Sequence, residues 1–187
     1  MENKGTKENP WTKGEVPKHT LYGNAAIKEV ESIYGIKLTA PQKRIVTLEG
    51  FVPGFYKDDR GVMTYGVGQT GEWIDKGFVA AYEHHQDLAE DIFGSFNRFT
   101  PELQGELMSL TYRGDVKRGY NWVRQFNQGN YEEAADQLLI HREYMDRKAS
   151  GKKDGVVKRL EDASNTIKNF VPQLRVGDNN VADANTV

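Results

Sequence analysis

Residues 48–70 read Leu-Glu-Gly-Phe-Val-Pro-Gly-Phe-Tyr-Lys-Asp-Asp-Arg-Gly-Val-Met-Thr-Tyr-Gly-Val-Gly-Gln-Thr, and here the chain changes from helix to sheet. Just upstream, Thr39-Ala40-Pro41 is a helix entrance: a hydroxyl cap with proline in the first turn. Ile45, Val46 and Leu48 give that helix one apolar face, and Gly50 closes it. The glycines that follow, the Asp-Asp-Arg-Gly run from Asp58 and the alternation Val62, Thr64, Gly66 predict short antiparallel strands joined by a tight turn.

On the N-terminal side, Ala26, Ile27, Val30, Ile33 and Tyr34 recur at helical spacing within residues 23–34, with Gly35 as the stop. Residues 1–20 are polar, carry two prolines and one isolated Trp11, and read as an irregular or mobile arm. On the C-terminal side the pattern is helical, with segments expected at 78–93, 101–112, 118–128, 131–146 and 154–169. Thr100-Pro101-Glu102 is a clear start, and Asn130 with Glu132 and Glu133 opens another. Residues 171–187 read as a flexible tail. The expected class is α+β: an N-terminal extension (1–38), a small helix-and-strand lobe (39–77), and a larger helical lobe (78–170).

Composition narrows the function. Hydrophobic residues at 37% and no run of 18 apolar residues leave no transmembrane span in view. A formal charge of −2 gives no global pull toward nucleic acid or anionic membranes, although Arg147, Lys148, Lys152 and Lys153 form a local basic cluster. No cysteine is present, so disulfides and thiol nucleophiles are excluded. The opening residues lack an apolar signal-peptide core. His84-His85 does not make a metal site, since neighbours on a helix diverge and no third ligand has suitable spacing; both read as solvated positions.

The chemistry sits in the quoted stretch. Glu49 falls in the last turn of its helix, where the negative end of the helix dipole disfavours a charged carboxyl; it reads as a general acid or as a surface glutamate before a glycine cap. Asp58 reads as the carboxylate that directs water, or as an aspartate bonding its own turn. Thr64 reads as a water-holding hydroxyl, or as a β-branched strand residue. Asp58 and Asp59 are adjacent on an extended segment, so one of them alone faces a given side.

The pattern Glu-Gly-x5-Tyr-x-Asp-x5-Thr-x-Gly-x-Gly, met by Glu49, Gly50, Tyr56, Asp58, Thr64, Gly66 and Gly68, resembles that of the phage-type (T-even-type) lysozymes, the muramidase endolysins of tailed bacteriophages. Weaker similarity continues through residues 101–146. The resemblance implies two lobes with a polysaccharide cleft between them, and hydrolysis of the β-1,4 bond between N-acetylmuramic acid and N-acetylglucosamine with inversion. It implies Glu49 as general acid, Asp58 as second carboxylate and Thr64 as the water-positioning hydroxyl. Thr70, Tyr112, Arg113, Trp122, Gln137 and Arg142 fall where the family contacts glycan or stem peptide; the bland alternatives are core aromatics and solvated polar side chains. No metal or cofactor is implied.

Two positions depart from the family. Gln69 stands where the family has a histidine, which implies altered packing between the lobes with the chemistry kept. Residues 147–155 read as a changed polar connection, which leaves Arg159 as the candidate for the arginine that supports the acid. The resemblance implies a monomer made in the host cytoplasm and acting on the cell wall at lysis, with a holin for export. Alternatives are a virion-associated entry lysozyme tethered through the N-terminal arm, and a non-catalytic glycan-binding or structural module.

Overall fold

The computed structural model of the protein describes residues 4–58, 60–151 and 155–172. Asp59, Lys152, Lys153 and all but the first two residues of the expected tail lie outside them. Three antiparallel strands, β1 (Val52–Lys57), β2 (Met63–Gly66) and β3 (Gln69–Thr70), form one sheet in the order β1-β2-β3. Helices make up most of the remainder, so the chain is α+β and largely helical.

α1 (Val16–His19) and α2 (Gly23–Tyr34) precede α3 (Ala40–Glu49), the helix that carries Glu49. α2 stops at Gly35 in left-handed conformation and buries Ala26 and Val30; Ile33, expected on the apolar face, is exposed. α3 starts with a full capping box: the Thr39 hydroxyl accepts from the Gln42 amide, and the Gln42 side chain accepts from the Thr39 amide. Ile45 and Val46 are buried; Leu48 is half-buried. Arg44 fixes α3 to the later helix of residues 101–113 through a 2.6 Å contact with the buried Glu106. Burial pushes the Glu106 carboxyl up, and Arg44 partly opposes it.

Residues 4–22 have little regular structure apart from α1, yet they run against the sheet. The Trp11 amide donates to Phe55 O (2.9 Å), the Phe55 amide donates to Gly5 O (2.8 Å), and Leu21 and Phe51 exchange both backbone hydrogen bonds. The Trp11 ring lies over Gly54, where a Cβ would meet it at 2.7 Å, and stacks on His19 at 4.3 Å.

The helical part comprises α4 (Trp73–Phe93), a 3-10 turn (Phe96–Arg98), α5 (Pro101–Arg113), α6 (Asn121–Asn127), α7 (Tyr131–Leu138), α8 (Arg142–Ala149) and α9 (Gly155–Lys168). α4 is broken at Gly77 (φ 82°, ψ 176°), where a Cβ would sit 2.8 Å from the Tyr34 ring. The single helix expected over 131–146 is two helices. α7 buries Ala134, Ala135 and Leu138, while α8 buries Tyr144, whose hydroxyl bonds Glu161 of α9. The break at 139–141 lets both segments pack on α9. α8 also runs to Ala149, so Arg147 and Lys148, expected in a connection, are helical. One hydrophobic cluster extends from Ala26 on α2 to Phe170 beyond α9.

Candidate active site

Glu49 ends α3, and Gly50 turns the chain sharply into β1 with φ 75° and ψ 177°. That turn leaves the Glu49 side chain about one quarter exposed, at 25%. Arg159 reaches it from α9: Nη1 lies 2.5 Å from Glu49 Oε1, and Nη2 donates to the Leu48 carbonyl. The one guanidinium therefore grips both the carboxylate and the helix end that presents it. Arg159, only a candidate in sequence, is the arginine that meets Glu49.

Strand pairing lines up Tyr56, Thr64 and Thr70 across β1, β2 and β3, so their side chains share one face of the sheet. Phe55, Tyr65 and Gln69 lie on the other. Thr64 is buried and its hydroxyl donates to Val62 O at 3.0 Å, which leaves its lone pairs as acceptors. The Tyr56 hydroxyl is pushed up to about 12 by burial, then by the charges of Glu49 and Asp58 and by Tyr22. Tyr56 thus stands within electrostatic reach of both carboxylates.

Asp58 does what its turn reading asked of it. Oδ1 accepts from the amides of Arg60 (2.9 Å) and Val62 (2.8 Å), and Oδ2 faces the Arg60 guanidinium at 3.3 Å. Partial desolvation opposes the charge, but the Val62 and Arg60 bonds outweigh it and hold the carboxyl below its ordinary value of 3.8. A depressed carboxylate lends stability that is present above its unfolded value and disappears as pH falls through the folded one. In Asp58→Asn the amide oxygen can still accept from the two backbone amides while the charge is gone. Below pH 3.8 the melting temperature of the parent should therefore fall more steeply than that of the variant. Equal slopes in a pH series of melting curves would show that the turn does not hold the charge.

Gln69 is buried and joins the sheet to α5. Its Oε1 accepts from the Val67 amide (2.9 Å) and its Nε2 donates to the Tyr112 hydroxyl (3.2 Å), which in turn donates to Val67 O (3.0 Å). Burial drives the Tyr112 hydroxyl up, and the Glu49 charge adds to that. With its ring on His85 at 4.5 Å and its hydroxyl on Val67 O, the partly buried Tyr112 ties the sheet to the helix. His84 lies on Trp73 at 4.6 Å, so neither histidine is the solvated position expected. Among the described residues no cluster of three or more metal-ligating side chains occurs, and no helix is long and apolar enough to cross a membrane.

The remaining binding candidates divide. Arg113 is half-buried between Asp115 (2.7 Å) and Glu143 (3.3 Å); burial works against its charge, but these carboxylates and Glu49 raise its affinity for the proton. Trp122 is 4% exposed and packs on Phe93, so its ring offers no face to a sugar. Trp122 and Gln137 contribute to a surface depression of about 350 Å³ with Tyr120, Ile140 and His141. Gln137 bonds Glu133 at 2.8 Å, and Arg142 is almost fully exposed beside Asp146. Comparison of the chain with protein-family models, with curated proteins and with solved structures gives no match.

Proposed function

We propose that the protein is a peptidoglycan muramidase that hydrolyses the β-1,4 bond between N-acetylmuramic acid and N-acetylglucosamine, with the glycan lying in a cleft between the sheet and the helical part. The observation that carries this reading is the arrangement around the α3–β1 junction: Arg159 from α9 holds Glu49 at the end of α3, Gly50 leads directly into the sheet where Thr64 pairs with Tyr56, and Asp58 follows in the turn after β1.

The Glu49 carboxyl gives its proton to the glycosidic oxygen, and the bond from that oxygen to the anomeric carbon breaks as positive charge grows on the sugar. Arg159 then stabilises the carboxylate left on Glu49, already touching the oxygen that becomes charged. A water molecule donates one hydrogen to Thr64 Oγ1, whose own proton is committed to Val62 O, and its other hydrogen to Asp58. Its lone pair is thereby aimed at the anomeric carbon, Asp58 takes the surplus proton, and attack from the far face inverts the centre. That geometry asks for roughly 6.5–9.5 Å between the two carboxyls to admit the water. Lysis of a bacterial host by this wall cleavage, after holin-assisted export, is the biological setting we propose.

Mass spectrometry of peptidoglycan digested in ¹⁸O-labelled water tests the reaction. Reducing-end muropeptides carrying one ¹⁸O are expected. Anhydro-sugars would mean a transglycosylase, and tight wall binding without new ends would mean a glycan-binding module.

A further inference from the structure

We infer that Tyr22, on the N-terminal segment outside the stretch that resembles the phage enzymes, is a sugar-stacking platform flanking Glu49 and sets the affinity for glycan. The inference rests on the muramidase reading above and adds to it a contact made by the extension.

Tyr22 is a large aromatic side chain left 61% exposed. A lone exposed aromatic is common and by itself says little; its position is what matters here. The ring lies against Gly50, the residue after Glu49, where a Cβ would come within 3.0 Å of Tyr22 Cε1, 2.9 Å of Thr20 Cγ2 and 3.0 Å of Leu21 O. Position 50 has no side chain, so residues 20–22 close directly over the backbone that leads from the acid into β1. Tyr22 is also near enough to Tyr56 to oppose ionisation of that hydroxyl, as Glu49 and Asp58 do. Tyr22, Glu49 and Tyr56 thus form one neighbourhood.

The placement is fixed rather than incidental. Leu21 and Phe51 exchange backbone hydrogen bonds at 2.8 and 2.9 Å, and the buried Phe51 anchors that bridge in the core. Upstream, the Trp11 ring seats on Gly54 and on Gly5, and the Thr20 hydroxyl donates to Val16 O at 2.7 Å. Downstream, α2 begins at Gly23 and packs on α3. The backbone at Tyr22 is therefore held from both sides while the side chain stays 61% exposed, and a flat apolar face carrying a polar rim suits the C–H face of a pyranose. Backbone already fixed on both sides of the residue adds no ordering cost when sugar arrives.

Initial rates of reducing-end release, measured against the concentration of solubilised peptidoglycan strands, test this for the parent, Tyr22→Ala and Tyr22→Phe. Tyr22→Ala should raise KM about fivefold with kcat within about twofold, and Tyr22→Phe should stay near the parent. Melting curves accompany the rates; should Tyr22→Ala melt early, Tyr22→Leu keeps apolar contact with Gly50 without a flat ring and should behave as Tyr22→Ala does in KM. An unchanged KM in the variants without a ring overturns the inference while leaving the muramidase reading in place. So does a Tyr22→Phe protein as impaired as Tyr22→Ala, which would make the hydroxyl the contact. A parent that releases no reducing ends overturns both.

Discussion

Glu49→Gln is expected to fold as the parent does and to release reducing ends from purified peptidoglycan about 10²–10⁴-fold more slowly, the usual worth of a positioned acid. The substitution is nearly isosteric. Its amide oxygen can accept from Arg159 Nη1 as Oε1 does now, so the link between α3 and α9 persists. What disappears is the acidic proton that the proposed mechanism delivers to the leaving oxygen. The side chain is one quarter exposed, so replacing the carboxyl by an amide in this contact should change stability by about 1 kcal/mol or less. The loss should fall on kcat, since the group acts on charge that develops only as the bond breaks. A rate within tenfold of the parent would remove Glu49 from the acid role and the proposed mechanism with it. A matched Arg159→Gln protein should be slowed less, because it still owns the proton and lacks only the cation that stabilises the carboxylate left behind.

How much of this was legible in the sequence varies with how local each feature is. Residues 23–34 and the Thr39 cap are local patterns, and α2 and α3 follow them closely. The strand–turn–strand of 52–66 was readable because the glycines and Asp58 write turn chemistry into four residues. Non-local facts were harder to see. Arg159 meets Glu49 across 110 positions, and no spacing rule reports such a pair. The break between α7 and α8 has no proline or glycine to announce it; it lets Ala135 and Tyr144 both meet α9, at Ser164 and Glu161. Trp122 and Tyr112 could be named as aromatics but not sorted into core or surface, since burial depends on what packs from elsewhere. Tyr22 was invisible for the same reason: nothing in an isolated tyrosine before a helix says that it will lie beside Gly50.

The largest loss of stability should come from the helical part, at Phe126→Ala, with about 3–5 kcal/mol expected. Phe126 on α6 is 1% exposed and sits where four elements meet. Its ring is 5.2 Å from Phe93 of α4, 5.6 Å from Phe99 after the 3-10 turn and 5.2 Å from Tyr131 of α7, each in edge-to-face geometry. Phe99 and Tyr131 both continue to Phe170 beyond α9, so the last aromatic ring of the sequence closes the same cluster. Truncation removes the ring's transfer free energy and leaves a void that neighbours held by their own helices can only partly fill. Edge-to-face pairs add about 0.5–1.5 kcal/mol each to what area alone gives. For a domain whose total stability is about 5–15 kcal/mol, such a loss moves the urea midpoint far, with the slope of the transition kept. Phe126→Leu, which refills most of the volume, should cost about half as much or less. A Phe126→Ala midpoint close to the parent's would mean that these rings do not form one packed cluster, and that α6 is held to the core by its other contacts.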